Sequence, residues 1–393
     1  MQKPRRVAIM LDLDWPFKRH VSTFAGTQQY GQEHGWHSIM DEFVDEKLSV
    51  NSPLSVPYDG IIARASKKLA VRAARLKIPL VNVWRSSPAW RSVPGVFPDY
   101  AAAGCLRAEH LLSRGFIRFA AVTCDNDEAH AAELQAFTKR LGEAGYSCAS
   151  GTVPLSAYPS TNWRKLDQAI TNCMNGWRLP IGVFVGSERD GRLLAQMCTN
   201  RGWRVPEDVA IIAGKNEQTY CESLRPTLSS VEIGYERIGY EAAKLLDSLM
   251  DGVAAPAEPM LLPPKGLVVR ESTDFFAVED PLVAAALKFI AENCHKVIGQ
   301  DDVASAVSAE TRTLQRRFNK FLNRPIATEI RRVRIERAKR ELAQGKRSLA
   351  EIANAVGFGE AAGMYDVFVR ELGVTPSQYR RDRQTGDKTL DAG

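Results

Sequence analysis

The chain has 393 residues, 45% hydrophobic and 25% charged, proportions of an ordinary globular protein with two or three domains. No run approaches the 18 apolar residues of a membrane span, the apolar run near the start is too short for a signal peptide, and the seven cysteines include no C-x-x-C pair. The net charge is +6, yet residues 310–347 alone hold thirteen basic and four acidic side chains, which indicates a polyanion site. We therefore expect a cytoplasmic protein without a cofactor.

The first two thirds of the chain alternate short apolar runs with segments of helical length. These runs predict strands at 7–11, 60–64, 79–84, 118–123, 181–186 and 209–214. Continuous apolar strands that alternate with helices indicate parallel sheets covered on both faces, and this part of the chain is long enough for two. The predicted fold class is a two-lobed α/β domain with two doubly wound parallel sheets, followed by an all-α domain.

Polar, charged and aromatic residues follow the ends of the predicted strands. Ligands of open α/β sheets bind beyond the carboxyl ends of the strands, so we expect a ligand site in a cleft between two lobes. The alternative is that these residues are solvated or cap helices. The candidates are Asp14, Arg64, Trp84, Asp99, Glu188, Lys215, Asn216 and Glu217.

Three stretches of the first part of the chain are distinctive: VFPDYAAAGCLRAEHLLSRGFIRFAAV, VPEDVAIIAG and TLSSVEIGYERIGYEAAKLLDSLMDG. Through them, residues 5–275 resemble the periplasmic-binding-protein-like sensor domain of LacI-type regulators. The resemblance implies a sugar ligand. Two positions depart from the family, since Lys215 stands where those sensors usually have an acidic residue and Glu133 about where they have an arginine. Arg64 and Arg85 lie in neighbouring loops, so a sugar acid is an alternative ligand.

The strand pattern ends near residue 275, where prolines and a loss of periodicity mark a domain boundary. The predicted domains are a sensor over 1–275, a linker over 276–281, a helical domain over 282–383 and a disordered tail over 384–393. In the last third, we predict helices at 282–294, 301–306, 310–321, 326–343, 349–355, 361–371 and 376–382.

The helical domain contains a repeat of a helix, a tight turn and a second helix. Residues 303–318 align with 352–368, and Ser348 with Glu351 predicts a capping box before the second copy. Gly357 suits a left-handed turn, whereas the first copy has Ser308 at that place. Two such units joined by a long helix can read successive segments of the major groove.

The same domain resembles the AraC-type DNA-binding domain in RTLQRRF, RIERAKREL, SLAEIANAVGF and GVTPSQYRR. Residues on the outer face of the first recognition helix are predicted to contact bases. The other basic residues of the domain are predicted to contact phosphates. The second helix departs from the family pattern, and Asp366 repels phosphate, so we expect it to contribute less. A solvated helix face and a membrane-surface helix are the alternatives. The candidates are Thr311, Arg312, Gln315, Arg316, Arg317, Lys320, Glu360, Ala361, Tyr365 and Arg370, with linking-helix arginines as further phosphate contacts.

Together these features predict a ligand-responsive transcription regulator, with double-stranded DNA and a sugar or sugar acid as partners. The resemblance implies a homodimer that activates genes for using xylose or a related sugar, and RNA polymerase as a partner of an activator. The alternative is a carbohydrate-active enzyme with a DNA-binding tail. The sequence has no G-x-S-x-G, P-loop or H-E-x-x-H motif, and His34 with His37 lacks an evident third metal ligand.

Overall fold

The structure is a computed structural model, which describes residues 4–13, 18–48, 58–125, 127–153, 163–278, 280–322, 324–344 and 347–385. The chain divides into two compact units. The first comprises Met1–Tyr100, Asn126–Ala132 and Ile233–Pro264; the second comprises Ala101–Asp125, Glu133–Glu232 and Lys265–Gly393. No helix in the described ranges is long and apolar enough to cross a membrane.

The first unit is built on a parallel sheet of four strands. Its elements are β1 (Arg6–Met10), α1 (Lys18–Glu33), β2 (His37–Met40), α2 (Val44–Lys47), β3 (Gly60–Ala63), α3 (Lys67–Arg75), β4 (Leu80–Asn82), β5 (Val96–Pro98), α9 (Tyr235–Met250) and β11 (Met260–Leu262). The strand order is β2-β1-β3-β4, and β5 pairs separately with β11. Helices α1 and α9 meet backbone to backbone, because a Cβ on Gly26 would lie 1.8 Å from the Glu236 carbonyl oxygen.

The second unit repeats this architecture. Its elements before the helical domain are α4 (Tyr100–Ser113), β6 (Phe119–Cys124), α5 (Glu128–Glu143), β7 (Cys148–Val153), α6 (Trp163–Met174), β8 (Ile181–Val185), α7 (Glu188–Asn200), β9 (Val209–Ala213), α8 (Gln218–Glu222), β10 (Ser230–Glu232) and β12 (Gly266–Val268). The sheet order is β7-β6-β8-β9, all parallel, whereas β10 and β12 form an antiparallel pair. The inner strand β8 and the edge strand β9 are both buried along their whole length, as expected of parallel strands covered by helices on both faces.

All six predicted strands are present, and the prediction of two parallel sheets is confirmed. The sequence analysis missed the edge strands β2 and β7. Both carry exposed residues and lack a continuous apolar run, unlike the edge strands β4 and β9 at the opposite ends of the two sheets, which are buried and were predicted. It also missed the three-residue strands β5 and β10, each too short to show a period.

The helical domain contains the seven predicted helices, with bounds mostly within one residue. They are α10 (Pro281–Asn293), α11 (Gln300–Ala306), α12 (Thr311–Leu322), α13 (Ile326–Gln344), α14 (Leu349–Ala355), α15 (Ala361–Leu372) and α16 (Pro376–Thr385). The 19 residues of α13 span about 28 Å. Its first half packs into one hydrophobic core with α10, α11 and α12, and its second half into another with α14 and α15.

The two helix-turn-helix units share the same turn geometry. Ser308 has φ +53° and Gly357 has φ +89°, so both copies use a left-handed residue. Gly357 is also required sterically, since a Cβ there would lie 2.0 Å from the Cys294 carbonyl oxygen. The predicted capping box of Ser348 with Glu351 is confirmed.

The predicted linker, 276–281, is more firmly held than the sequence indicated. Phe276 is buried in the core of the first helix-turn-helix unit, and the Arg114 guanidinium carbon lies 4.6 Å from the centre of its ring. The Ala277 amide donates to the Arg114 carbonyl oxygen at 2.7 Å, and Asp280 is already the N-cap of α10. At the other end, the proposed disordered tail starts inside α16, and residues 386–393 lie outside the described residues.

Candidate DNA-binding face and ligand-binding edges

Helix α12 presents two arginines to solvent on one face. Leu314 and Phe318 are completely buried, which fixes the orientation of the helix. Arg312 and Arg316, one turn apart, are both exposed, and no ion pair or side-chain hydrogen bond joins either to another described residue. A guanidinium without an internal acceptor is available for bidentate contact with a guanine edge or a phosphate.

The other predicted contacts on α12 have internal partners. Thr311 Oγ1 donates to Asp301 at 2.7 Å, which ties α12 to α11. The Gln315 amide donates to Asn319 at 3.1 Å and accepts from the Ile326 amide at 3.4 Å. Lys320 is exposed, with its ammonium 4.9 Å from the centre of the neighbouring Phe321 ring. These residues remain predicted contacts, but they must give up or share their internal partners.

Arg317 forms an ion pair instead of projecting freely. Its Nη1 lies 2.5 Å from Oδ2 of Asp280, a side chain only 6% exposed. Burial alone would raise the pKa of Asp280, but the Val283 amide and Arg317 together hold this pKa below its usual value. The phosphate contact predicted for Arg317 therefore competes with a pair that attaches the recognition helix to the start of the domain.

Two arginines near the start of the linking helix, α13, also have an internal partner. Arg324 and Arg332 both bind the buried carboxylate of Glu329, with N–O distances of 2.6 and 2.5 Å. Burial alone would raise the pKa of Glu329, but Arg332 and Arg324 hold it below its ordinary value. This one carboxylate holds two of the arginines that the sequence assigned to phosphates.

Arg334 has a structural role as well. Its guanidinium donates to three carbonyl oxygens beyond the end of α10, those of Cys294, Lys296 and Ile298, at 2.9 to 3.1 Å. Donors at this place satisfy carbonyl groups that a helix end leaves unpaired. The expectation that the linking-helix arginines are phosphate contacts stays a prediction, and for Arg324, Arg332 and Arg334 a phosphate would compete with these internal partners.

The second recognition helix, α15, has a different surface. Met364 and Phe368 are buried, while Tyr365 is 46% exposed and Asp366 is exposed beside it. Arg370 donates to Glu371 at 3.3 Å. Glu360 is the exposed N-cap without a side-chain cap bond, and Ala361 begins the helix. This face carries less positive charge than the solvent face of α12, which fits the prediction that the second recognition helix contributes less to DNA binding.

In the second unit, Glu188 and Asn216 stabilise a turn at the carboxyl end of β9. The Glu188 carboxylate accepts from the amides of Lys215 and Glu217, at 2.5 and 2.9 Å. Asn216 has φ +63°, and its side chain donates to Glu232 and accepts from Arg270, at 2.8 and 2.7 Å. Both side chains are buried, which favours the alternative that they support the loop rather than touch a ligand.

Lys215 belongs to a buried charge cluster. Its ammonium lies 3.6 Å from the Glu133 carboxylate, and Nη2 of Arg107 lies 3.3 Å from the same carboxylate and 2.8 Å from the Gly214 carbonyl oxygen. Arg107 and Glu133 are completely buried. Lys215 and Glu133, the two positions that depart from the family pattern, therefore pair with each other, with the signs of their charges exchanged relative to that pattern. Sequence reasoning missed Arg107, although an arginine in the middle of an apolar helix was a usable signal.

The first unit has its own polar edge, around Trp84. The guanidinium carbons of Arg19 and Arg64 lie 4.1 and 5.1 Å from the centre of the Trp84 indole. His20 packs edge-on against the same ring at 5.1 Å. Burial lowers the pKa of His20 below its ordinary value, and the charges of Arg19 and Arg64 act in the same direction, against the hydrogen bond to the Asp12 carbonyl oxygen, which raises it.

Asp99 and Asp14 are the other two predicted ligand residues before residue 100. Asp99 directly follows β5, and its amide donates to the Leu262 carbonyl oxygen at 2.8 Å. Asp14 lies outside the described residues. Sequence reasoning placed Arg64 and Trp84 correctly at strand ends but missed Arg19, which stands in the first turn of a helix.

Comparisons with known proteins agree with this architecture. Residues 108–273 match a periplasmic binding protein-like domain, and residues 303–382 match a helix-turn-helix domain. The xylose operon regulatory protein of Haemophilus influenzae is 27% identical over 390 residues, which cover 95% of this chain and 98% of the relative. That of Escherichia coli K12 is 27% identical over 388 residues, which cover 96% and 97%.

A solved structure of the xylose-binding transcription activator XylR has the same fold, with a TM-score of 0.59 and 24% identity over 96% of this chain and 98% of the other. All these relatives are regulators, and none supports the enzyme alternative. The chain is therefore a DNA-binding transcription regulator, with a periplasmic-binding-protein-like domain ahead of a helix-turn-helix domain, and a homologue of the xylose operon regulatory proteins along almost its whole length.

Proposed function

We propose that this protein is a sugar-responsive activator of carbohydrate-utilisation genes and that it recognises its operator mainly through α12. One observation carries the DNA-reading part: Arg312 and Arg316 are exposed on one face without an acidic partner in the described chain, while neighbouring arginines are occupied. Recognition of bases requires free donors, whereas stability requires paired ones.

The sugar-sensing part rests on the relatives, which are named for the xylose operon, and on polar residues at the sheet edges. A sugar can change DNA affinity only if it binds two arrangements of the protein unequally. The firmly held connection at Phe276 and Arg114 supports such coupling, because a linker without contacts could not transmit a change. We infer a homodimer in the cytoplasm, with RNA polymerase as the partner that an activator requires.

The test starts by selecting duplexes from a random-sequence library with the full-length protein. The selected duplexes should share a motif, be protected in a footprint, and lose affinity steeply as salt rises. D-Xylose or a sugar acid should then change the affinity by about 5- to 150-fold, the usual size of such coupling. Failure to enrich any sequence at low salt would exclude DNA reading, while enrichment that no sugar affects would exclude sugar sensing.

A further inference from the structure

We propose that Arg334 holds the two helix-turn-helix units at one fixed separation and thereby sets the spacing between the two DNA segments that the protein reads. In this role Arg334 contacts no base and acts as a positioning residue. The consequence for DNA rests on the proposed function, with α12 and α15 as the two reading helices. The fixed separation itself does not rest on it.

Arg334 lies where the linking helix α13 passes from one hydrophobic core to the other. Val333, just before it, packs against the core of the first unit, and Ile335, just after it, is buried in the core of the second. Among the described residues, the two cores have none in common. Long helices curve with the packing around them, so a shared helix does not by itself fix the angle between the two units.

The Arg334 side chain attaches this point of α13 to the first unit. Its guanidinium donates to the carbonyl oxygens of Cys294, Lys296 and Ile298, at 3.1, 2.9 and 3.1 Å. These carbonyl groups follow the end of α10, and Cys294 is completely buried. One turn further along α13, Arg337 Nη1 lies 3.4 Å from the Cys294 sulfur. Because the donors of a guanidinium have a fixed planar arrangement, three bonds restrain both the position and the direction of α13.

The turn of the second unit lies against the same carbonyl groups. A Cβ on Gly357 would lie 2.0 Å from the Cys294 carbonyl oxygen and 2.9 Å from that of Lys296. It would also lie 3.0 Å from Nε of Arg334. The backbones of the two units thus touch beside the guanidinium, so Arg334 holds in place the surface on which the second unit rests.

A fixed separation has a direct consequence for DNA. One base pair shifts the next groove position by about 3.4 Å along the helix and turns it by about 35°. Two recognition helices held rigidly therefore fit one spacing of their two segments, whereas loosely joined units fit several. Without Arg334, three carbonyl oxygens lose their donor, and the end of α10 can move away from the turn at Gly357.

The separation is measured first without DNA, by pulsed electron spin resonance on the full-length protein. Spin labels carried by unnatural amino acids at Asn319 and Val369 avoid the seven cysteines, and both residues are exposed at equivalent places of α12 and α15. The parent should give one narrow distribution of distances, and Arg334→Ala a broader one. Glu329→Gln is the matched control, because it weakens the first unit away from this junction and should keep the narrow distribution.

DNA binding tests the consequence. In the duplex that the full-length protein selects, the interval between the two protected segments is lengthened or shortened by one base pair. The parent and Glu329→Gln should then lose at least about 10-fold in affinity, the effect of about one good base contact. Arg334→Ala should lose less than about 3-fold and should keep the base preference within each segment.

Equal distance distributions in the parent and Arg334→Ala would overturn the positioning role, and so would an equal broadening in Glu329→Gln. If Arg334→Ala fails to fold, Arg334→Lys decides. Its ammonium lacks the planar fork, so the distribution should broaden, and one as narrow as in the parent would overturn the role. A narrow parent distribution with protection of only one DNA segment would instead refute reading by two helices and leave the fixed separation intact.

Discussion

Asp280 caps the first helix of the DNA-binding domain and also holds Arg317 of the first recognition helix, with 2.5 Å between Oδ2 and Nη1. One carboxylate oxygen serves the cap and the other the ion pair. The residue that ends the linker thus restrains one arginine of the face that reads DNA.

Asp280→Asn should release this restraint. Asparagine keeps the cap but loses the charge, so we expect the helical domain to lose about 0.5–1.5 kcal/mol of stability. Arg317 would then be free for phosphate, and the slope of log affinity against log salt should steepen by about 1. Fluorescence anisotropy at several salt concentrations measures the slope. An unchanged slope would mean either that Arg317 already contacts phosphate in the parent or that it does not contact phosphate even in the variant.

Arg316→Ala should reduce operator affinity by about 1–3 kcal/mol and relax the preference at one base position, because the guanidinium is free to bind a base edge. Arg334→Ala is the matched control, since Arg334 is occupied by carbonyl oxygens; it should lower stability and leave base preference unchanged. Equal loss of preference in both variants would contradict our division between free and occupied arginines.

The two recognition helices should contribute unequally. Replacing Arg312 and Gln315 together by alanine should weaken operator binding more than replacing Tyr365 and Asp366, because α12 offers more positive charge than α15. Competition binding with the selected duplex compares the two double variants. A larger loss from the α15 pair would show that Tyr365 or Asp366 makes a stronger contact than their surface indicates.

Glu329→Gln should destabilise the first helix-turn-helix unit by about 2–3 kcal/mol at pH 7, because two arginines lose their buried acceptor. The pKa of Glu329 is lowered by Arg332 and Arg324 against the effect of burial, so its stabilisation is complete above the ordinary pKa and is lost as pH falls through the folded value. Hydrogen exchange in α12 and α13 measures the difference between parent and variant. That difference should shrink below about pH 4, and a constant difference would argue against the ion pairs.

Lys215→Ala should act mainly on stability, by about 1–3 kcal/mol, because it leaves the buried Glu133 with only Arg107. The double exchange Lys215→Glu with Glu133→Arg restores opposite charges and should recover part of the loss. Thermal unfolding of the parent, Lys215→Glu, Glu133→Arg and the double variant gives the double-mutant cycle. Strictly additive effects would show that the pair contributes nothing as a pair.

The sequence by itself determined the strands and helices with strong periods, the order of the two domains and the repeated helix-turn-helix. These features are local: a buried parallel strand is a continuous apolar run, and a cap such as Ser348 with Glu351 is encoded within four residues. Strands β2 and β7 were missed because their residues are partly exposed, so their pairing rather than an apolar run defines them.

Only the tertiary structure decided which charges are free. Arg316 and Arg317 are adjacent in sequence and equally basic, yet within the described part of the chain only Arg317 meets a carboxylate, from a residue 37 positions away. In the same way, Lys215 shares the buried carboxylate of Glu133 with Arg107, whereas Arg64 lies beside a second guanidinium. A side chain's charge is local, but its partner comes from a distant part of the chain, so the pairing is known only when the chain is folded.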